Sequence, residues 1–368
     1  MRSAKWDHEQ LRQWHERSVY TELSDDESCW DVDDTGFLKQ GSDSVGVQRQ
    51  YTGTAGKTTN CQIGVCLAFS SYKGYAITDF RLYLPESWLK DSERCRKAGI
   101  PEDVVFQTKA RLVQEMLAQA LANGYRASCL TADADYGKAP YLRAFLQKEQ
   151  LAFALGIQKK LHVHWLKGKL RPLRLAGGLR SAEMSLEAIA REVKATDWLR
   201  LPLPGSQGPS SYEWAQTQIA LDGKPYGLLM RRLGEDIRFF LTWSPEPRDF
   251  LYWVRQIKRR WDVERCFQEA KQEVGLDEYQ IRLWTSWHRH ILLALVLVWV
   301  LAKLKLQFSW EKWTLPQIRQ LMRIPWLEQG IPAAHSLQWL HWKRQHNFKA
   351  TKSHWKRARQ ALFQLEAA

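Results

Sequence analysis

Three short stretches of the chain carry side chains suited to one chemistry. "WDVDDTG" holds Asp33 and Asp34, "LTADADYG" holds Asp133 and Asp135, and "RRWDVERCFQEAK" holds Arg260, Glu264 and Lys271. Carboxylates from separate segments can hold Mg2+, a hard cation that takes oxygen ligands and keeps water positions open. Two such ions about 3.5–4 Å apart clamp a phosphodiester, activating the attacking oxygen and stabilising the leaving one. Arg and Lys beside the acids supply the other half of that chemistry, holding phosphate oxygens and offsetting transition-state charge.

The third stretch must be positioned by a helix. Tyr252 to Val274 contains no Pro and no Gly, which predicts one continuous helix. At about 100° per residue, Trp253, Ile257, Trp261 and Phe267 form an apolar stripe around Glu264, and Arg260 and Lys271 fall on the same face. Arg255, Lys258, Arg259, Asp262, Glu269 and Glu273 cluster on the far side, as a solvated face. An acid inside an apolar stripe is costly unless a partner or a metal compensates it. An ordinary i,i+4 pair of Arg260 with Glu264, beside a snorkelling Lys271, accounts for the helix taken alone. Companion acids elsewhere decide between the two readings.

The other two stretches must be positioned by a sheet. A strand over Cys29 to Asp33 precedes a Gly-rich basic loop, "KQGSDSVGVQRQYTGTAGKTTN". Alternating strands "CQIGVCLAF" and "YAITDFRLYL" follow, then a helix from Thr108 to Asn123, a strand "RASCLTAD", a helix from Ala139 to Gln147 and a strand "LAFALGI". The order βββαβαβ predicts an α/β chain of the ribonuclease-H-like kind, a mixed five-stranded sheet flanked by helices. Both Asp clusters then arrive at one carboxyl edge of the sheet. Residues 1–27 are read as a helical N-terminal segment and 28–159 as the first part of the core. A β-rich insertion spans 160–245, with strands at Tyr212–Leu221, Tyr226–Leu233 and Ile237–Trp243. The helix at 246–275 completes the core, and 276–368 is helical with a basic tail, "HWKRQHNFKATKSHWKRARQ".

Bulk composition narrows the partners. Among 368 residues, 54 Lys and Arg against 40 Asp and Glu leave a net charge of +14, which points to a polyanion, with nucleic acid ahead of a membrane surface. A glycoside hydrolase would also use paired carboxylates, but gives no reason for this charge or for the Arg and Lys around Glu264. Most of the 19 Trp are assigned to the core. The six Cys form no C-x-x-C pair, as in a cytoplasmic protein with reduced thiols. "MRSAKWDHEQ" is no signal peptide, and "ILLALVLVWVLA" is too short to span a bilayer. "GTAGKTT" lacks the first Gly of a phosphate loop, Tyr51 standing in its place, so no nucleotide cofactor is expected. Arg49 and Lys57 of that loop are read as DNA-backbone contacts, against the alternative of a solvated loop. His162, His164, His288 and His290 have no acid or Cys at ligand spacing.

These motifs resemble the DDE transposases of bacterial insertion sequences, in the group whose signature is Y-(2)-R-(3)-E-(6)-K. Arg260, Glu264 and Lys271 match that spacing, while Ile257 occupies the tyrosine position. "DDTG" with "KQG" resembles the first-acid motif, "ADADYG" the second, and a β-rich insertion precedes the Glu; the likeness runs from Asp31 to Leu304. It implies a catalytic, metal-binding triad of Asp33, Asp133 and Glu264, with Asp34 an alternative first ligand and Asp135 a turn acid. It implies phosphate contacts from Arg260 and Lys271, and Mg2+ as cofactor with Mn2+ as a substitute. The expected reaction is hydrolysis at the element ends followed by attack of the freed 3′-OH on target DNA. Expected partners are double-stranded DNA of both kinds and a second copy of the chain assembled on it, in the bacterial cytoplasm at the nucleoid, with no membrane and no nucleotide cofactor. Two alternatives stay open: a structure-specific two-metal endonuclease of the same fold, and a shortened copy that only binds DNA.

Overall fold

The computed structural model describes residues 6–166, 183–205, 208–307, 313–327 and 342. Helix α1 (His8–Leu23) leads into strands β1 (Cys29–Leu38), β2 (Gln48–Thr52), β3 (Lys57–Ser70) and β4 (Tyr75–Tyr83). β3 pairs antiparallel with β1 along one edge and with β2, then β4, along the other. The segment read as a Gly-rich loop is a loop over residues 39–47, and its second part is β2 and the start of β3, joined by a turn over residues 53–56. Short helices α2 (Glu86–Leu89) and α3 (Ser92–Ala98), which no sequence pattern announces, precede α4 (Lys109–Ala122). Thr108 caps α4 by accepting from the Arg111 N–H, and Asn123 ends it, as the sequence predicts. Leu112, Val113, Met116, Leu117 and Ala120 form its buried face.

Strand β5 (Cys129–Ala132), helices α5 (Ala134–Gly137) and α6 (Pro140–Lys148), and β6 (Phe153–Ile157) complete the first part. β5 lies parallel to both β1 and β6, giving the order β4-β3-β1-β5-β6 with β3 alone running the other way. This is the ribonuclease-H-like mixed sheet. The insertion holds β7 (His162–Leu166), β8 (Glu183–Ser185), α7 (Leu186–Glu192), β9 (Leu199–Gly205), β10 (Gly208–Leu221), β11 (Lys224–Leu233) and β12 (Asp236–Trp243). β12 pairs antiparallel with β6, so the insertion prolongs the same sheet as β6-β12-β11-β10-β7-β8 and covers the edge that β6 would otherwise expose.

The predicted helix from Tyr252 to Val274 is two helices, α8 (Phe250–Arg259) and α9 (Trp261–Val274), separated at Arg260. α8 packs over β1, β5 and β6, whereas α9 packs over β4, β1 and β3, so the buried arc rotates between them. Trp253 and Ile257 are buried on α8, but on α9 the buried residues are Val263, Cys266, Phe267, Ala270 and Glu273. Glu264 is exposed and Trp261 is 55% exposed, so the single stripe drawn through them does not exist. The far side is not wholly solvated either. Arg255 donates to Glu27 at 2.8 and 3.2 Å, and buried Arg259 donates to the Glu27 carbonyl and lies 4.2 Å over the Tyr72 ring.

Helix α10 (Trp284–Gln307) is longer than its apolar run and is long and apolar enough to cross a bilayer by those criteria alone. Trp287, Ile291, Leu292 and Leu295 instead join a core with Phe37, Phe80, Val263 and Phe267, and the Trp287 indole donates to Tyr279 Oη at 2.9 Å. Residues 1–201 with 211–299 form one compact unit; 202–210 with 300–368 form a second, whose described part includes α11 (Leu315–Leu327). The basic tail over 341–360 lies outside the described residues apart from Trp342. Among the tryptophans, Trp30, Trp88, Trp214, Trp287 and Trp299 are fully buried, as expected of core anchors.

The turn after β5 is locked against β6 by two glycines. A Cβ on Gly137 would lie 1.9 Å from the Gly156 carbonyl oxygen, and one on Gly156 would lie 2.8 Å from the Ala134 nitrogen. Neither backbone can yield without moving α5, so Gly137→Ala should lower stability by about 1–3 kcal/mol in chemical denaturation. Gly53→Ala, where an added Cβ meets nothing, should change it by less than about 0.5 kcal/mol.

Candidate active site

β1 and β5 pair in parallel from Cys29 with Cys129 to Val32 with Ala132, and on each strand the next residue is an aspartate. β5 ends there, while β1 continues to Leu38 against β3. Asp33 thus does not end its own strand, as the sequence suggested; it stands where its parallel neighbour stops. Asp133 caps α5, its Oδ1 accepting from the Asp135 N–H at 2.9 Å, and this close turn is what the two glycines permit. Asp135 is exposed and pairs with Lys138 at 2.9 Å, as a turn acid should. Burial pushes the Asp33 carboxyl up to about 7, against the pull of Arg260 and with the help of the charges on Asp133 and Asp34. Burial likewise holds Asp133 above the ordinary carboxylate range, opposed by Arg260.

Consecutive residues of a strand face opposite sides, and this separates Asp33 from Asp34. Asp33 faces the α8–α9 side, where Arg260 Nη2 donates to its Oδ2 at 3.2 Å. Asp34 faces α4 and α5, where Lys109 Nζ lies 2.8 Å and Tyr136 Oη 3.3 Å from its Oδ2. One residue was missed in the sequence. Asp31, fully buried one pleat before Asp33, accepts from Ser70 Oγ at 2.6 Å and from Thr131 Oγ1, and Thr131 is its register partner on β5. It ties β1 to both neighbours and is pushed by burial up to about 6. The Asp-x-Asp spacing, two acids on one face, was the available signal.

Glu264 stands on the first turn of α9, one helical turn beyond Arg260, and makes no hydrogen bond or ion pair among the described residues. The structure therefore brings together Asp33, Asp133 and Arg260 and leaves the Glu264 carboxylate outside that contact. Among the described residues no three His, Cys, Asp or Glu side chains are gathered as an ion-holding set. Lys271 reaches a different part of the same edge, its Nζ 3.5 Å from the Gly36 carbonyl and 3.5 Å from Thr54 Oγ1. Burial lowers its pKa below the ordinary lysine value. The β2–β3 turn folds back over β1 there, and a Cβ on Gly36 would sit 1.9 Å from Thr52 Oγ1, which accounts for the Gly of "DDTG". Arg49 and Lys57 are exposed on this hairpin and make no contact with Asp33. Ile257, at the signature's tyrosine position, is buried. His288 and His290 face the Trp284 and Leu276 carbonyls, as structural residues.

Two carboxyls at neighbouring strand positions, both raised by burial and only Asp33 bonded to Arg260, are a donor set that a hard divalent cation would relieve. Asp33 and Asp133 fit that role, and Glu264, exposed one turn beyond Arg260 on α9, has a carboxylate not engaged elsewhere among the described residues. Before any cation binds, the crowding costs stability. Asp33 ionises near 3.8 when unfolded and near 7 when folded. Below about pH 3 the two states hold the same proton, and as pH rises to 7 the unfolded state releases it first, so this contribution falls and then levels off. In chelator-treated protein, Asp33→Asn should match wild type at about pH 3 and be more stable by roughly 1–4 kcal/mol above about pH 7, read by denaturation at each pH.

Comparison with protein families matches residues 1–198, more than half of the chain, to the DDE superfamily endonucleases. The matched span holds Asp33 and Asp133 and ends before Arg260, Glu264 and Lys271. A search of curated proteins finds no match to the chain. With the two aspartates on neighbouring parallel strands of a ribonuclease-H-like sheet inside that span, the chain belongs to the DDE superfamily endonuclease family.

Proposed function

We propose that the chain is a DNA transposase that cleaves phosphodiesters at the ends of an insertion sequence and joins the freed 3′-OH to target DNA. The observation that carries this reading is the ion pair of Arg260 with Asp33, beside Asp133, made from the residue that opens the helix of Glu264. It couples the signature helix to the acid pair, and no glycoside or purely DNA-binding role calls for that coupling.

In this reading Asp33, Asp133 and Glu264 hold Mg2+, or Mn2+ in its place. When bound, the metal polarises the scissile phosphate and lowers the pKa of the attacking oxygen. Arg260 then exchanges the Asp33 carboxylate for a phosphate oxygen, keeping one charge-assisted hydrogen bond while changing its acceptor. Glu264, exposed and without a partner among the described residues, closes onto the site by a side-chain rotation or a small tilt of α9 at the Arg260 break. Asp34, already engaged by Lys109 and Tyr136, remains on the other face as a support of β1. Lys271 secures the strand end at Gly36 and Thr54 and lends positive charge to the DNA path. Arg49 and Lys57 extend that path along the hairpin. The assembly is a pair of chains on double-stranded DNA in the bacterial cytoplasm, without nucleotide cofactor or membrane.

The test is Mg2+-dependent nicking of a duplex bearing the element's own terminal repeats. Wild type should nick only with the metal, and Glu264→Gln should lower the rate by about 100-fold or more while binding the duplex as before. Nicking that is indifferent to Glu264→Gln removes that residue from the site. Nicking of branched DNA in preference to the repeats would favour the structure-specific endonuclease.

A further inference from the structure

Arg231 on β11 is a half-buried cation with no ion-pair partner among the described residues. Among the described residues it makes no hydrogen bond and no ion pair; its guanidinium lies only against rings, 4.9 Å from Tyr212, 6.0 Å from Trp214 and 5.9 Å from Phe240. Its neighbours differ. Arg232, on the opposite face, pairs with Glu213 at 2.8 Å and stacks on Trp198, and Arg238 pairs with Asp236 at 3.0 Å. Arg232 and Arg238 thus pair with carboxylates, whereas Arg231 is held by aromatic faces that fix its position without neutralising it.

Strand register fixes which face it shares. Arg231 lies opposite Trp214 on β10 and Arg238 on β12, so all three project to one side of the sheet. Phe240, two residues past Arg238, lies on that side and pairs with Gly156 of β6. Ala154 of β6 pairs with Thr131 of β5, and Thr131 with Asp31 of β1, so Gly156 and Asp33, two residues further along, continue the same face. Arg231 is therefore on the side of the sheet that bears Asp33 and the helix of Arg260. Burial lowers its pKa; Tyr212 and Asp236 oppose that shift, and the positive charges of Arg238 and Arg260 add to it. A half-buried guanidinium opposed by other cations is stabilised by an incoming anion, and its planar fork suits two oxygens of one phosphate.

We propose that Arg231 is a phosphate-binding site for duplex DNA, presented by the insertion arm to grip the backbone beside the segment held at Asp33 and Asp133. This rests on the DNA-cleaving reading above and adds to it a contact outside the signature helix. The insertion then has a defined role, because its strands prolong the catalytic face so that one duplex lies across both.

The experiment is fluorescence anisotropy of wild type and variants with a labelled DNA duplex of arbitrary sequence, in chelator, over a salt series. Arg231→Met keeps the packing against the rings and should weaken binding several-fold, lowering the slope of log K against log salt by about 0.9. Arg231→Lys should recover the slope, and Arg232→Met should leave affinity and slope at wild-type values. Should Arg231→Met fail to fold, judged by circular dichroism, Arg231→Gln reads the same slope. A wild-type slope in the charge-removing variant overturns the proposal and leaves the nuclease reading intact. A wild-type protein with no salt-dependent affinity for the duplex overturns both.

Discussion

The parallel pairing of β1 with β5 stops at Val32 and Ala132, and each strand places an aspartate at the next position. Everything else at this edge follows from holding those two like charges close together in a poorly hydrated place. Asp31 and Thr131, joined one pleat earlier, fix the register that sets them side by side. Gly137 and Gly156 allow the chain to turn so tightly after Asp133 that α5 rests on β6. Arg260 supplies the one positive charge bonded to Asp33 itself among the described residues, and both carboxyls stay above their ordinary range in spite of it. The proposed binding of metal at this edge rests on that unrelieved pair of carboxyls.

The break between α8 and α9 is the second determinant. Glu27, gripped by Arg255 and Arg259 and bonded to Tyr72 Oη at 2.8 Å, ties the end of α8 to the loops flanking β1 and β4. α9 then follows a separate surface, with Val263, Phe267 and Ala270 in the core shared with α10. Arg260 sits at the joint, and Glu264 one turn further on. Fixing α8 while redirecting α9 places the guanidinium on Asp33 and leaves the glutamate exposed, which is consistent with a carboxylate recruited only when a cation arrives.

Much of this was legible in the sequence because it depends on local pattern. Alternation marked β3 and β4, the three long strands of the insertion were placed close to their bounds, Thr108 and Asn123 marked the ends of α4, and the positions of Asp33 and Asp133 followed from the βββαβαβ order. What was not legible depends on tertiary contact. A Gly- and Pro-free stretch cannot reveal that α8 and α9 meet different strands, so the apolar stripe through Trp261 and Glu264 was drawn across a joint. β2 was hidden because its polar residues alternate toward solvent on a half-covered strand. Arg259 looked solvated until its acceptor, the carbonyl of Glu27, came from more than two hundred residues away. Arg231 carried no signal, because its meaning lies in register across four neighbouring strands.

Sharing of divalent metal by Asp33, Asp133 and Glu264 would be seen in an anomalous-difference map from crystals of the chain grown with Mn2+ and a DNA duplex. The expected map has a peak at the carboxylates of Asp33 and Asp133, with Glu264 drawn in to hold the same metal and Arg260 turned from Asp33 to a phosphate. A map with no peak at this pair, or with the metal bound there while Glu264 remains in solvent and Arg260 stays on Asp33, would contradict that sharing.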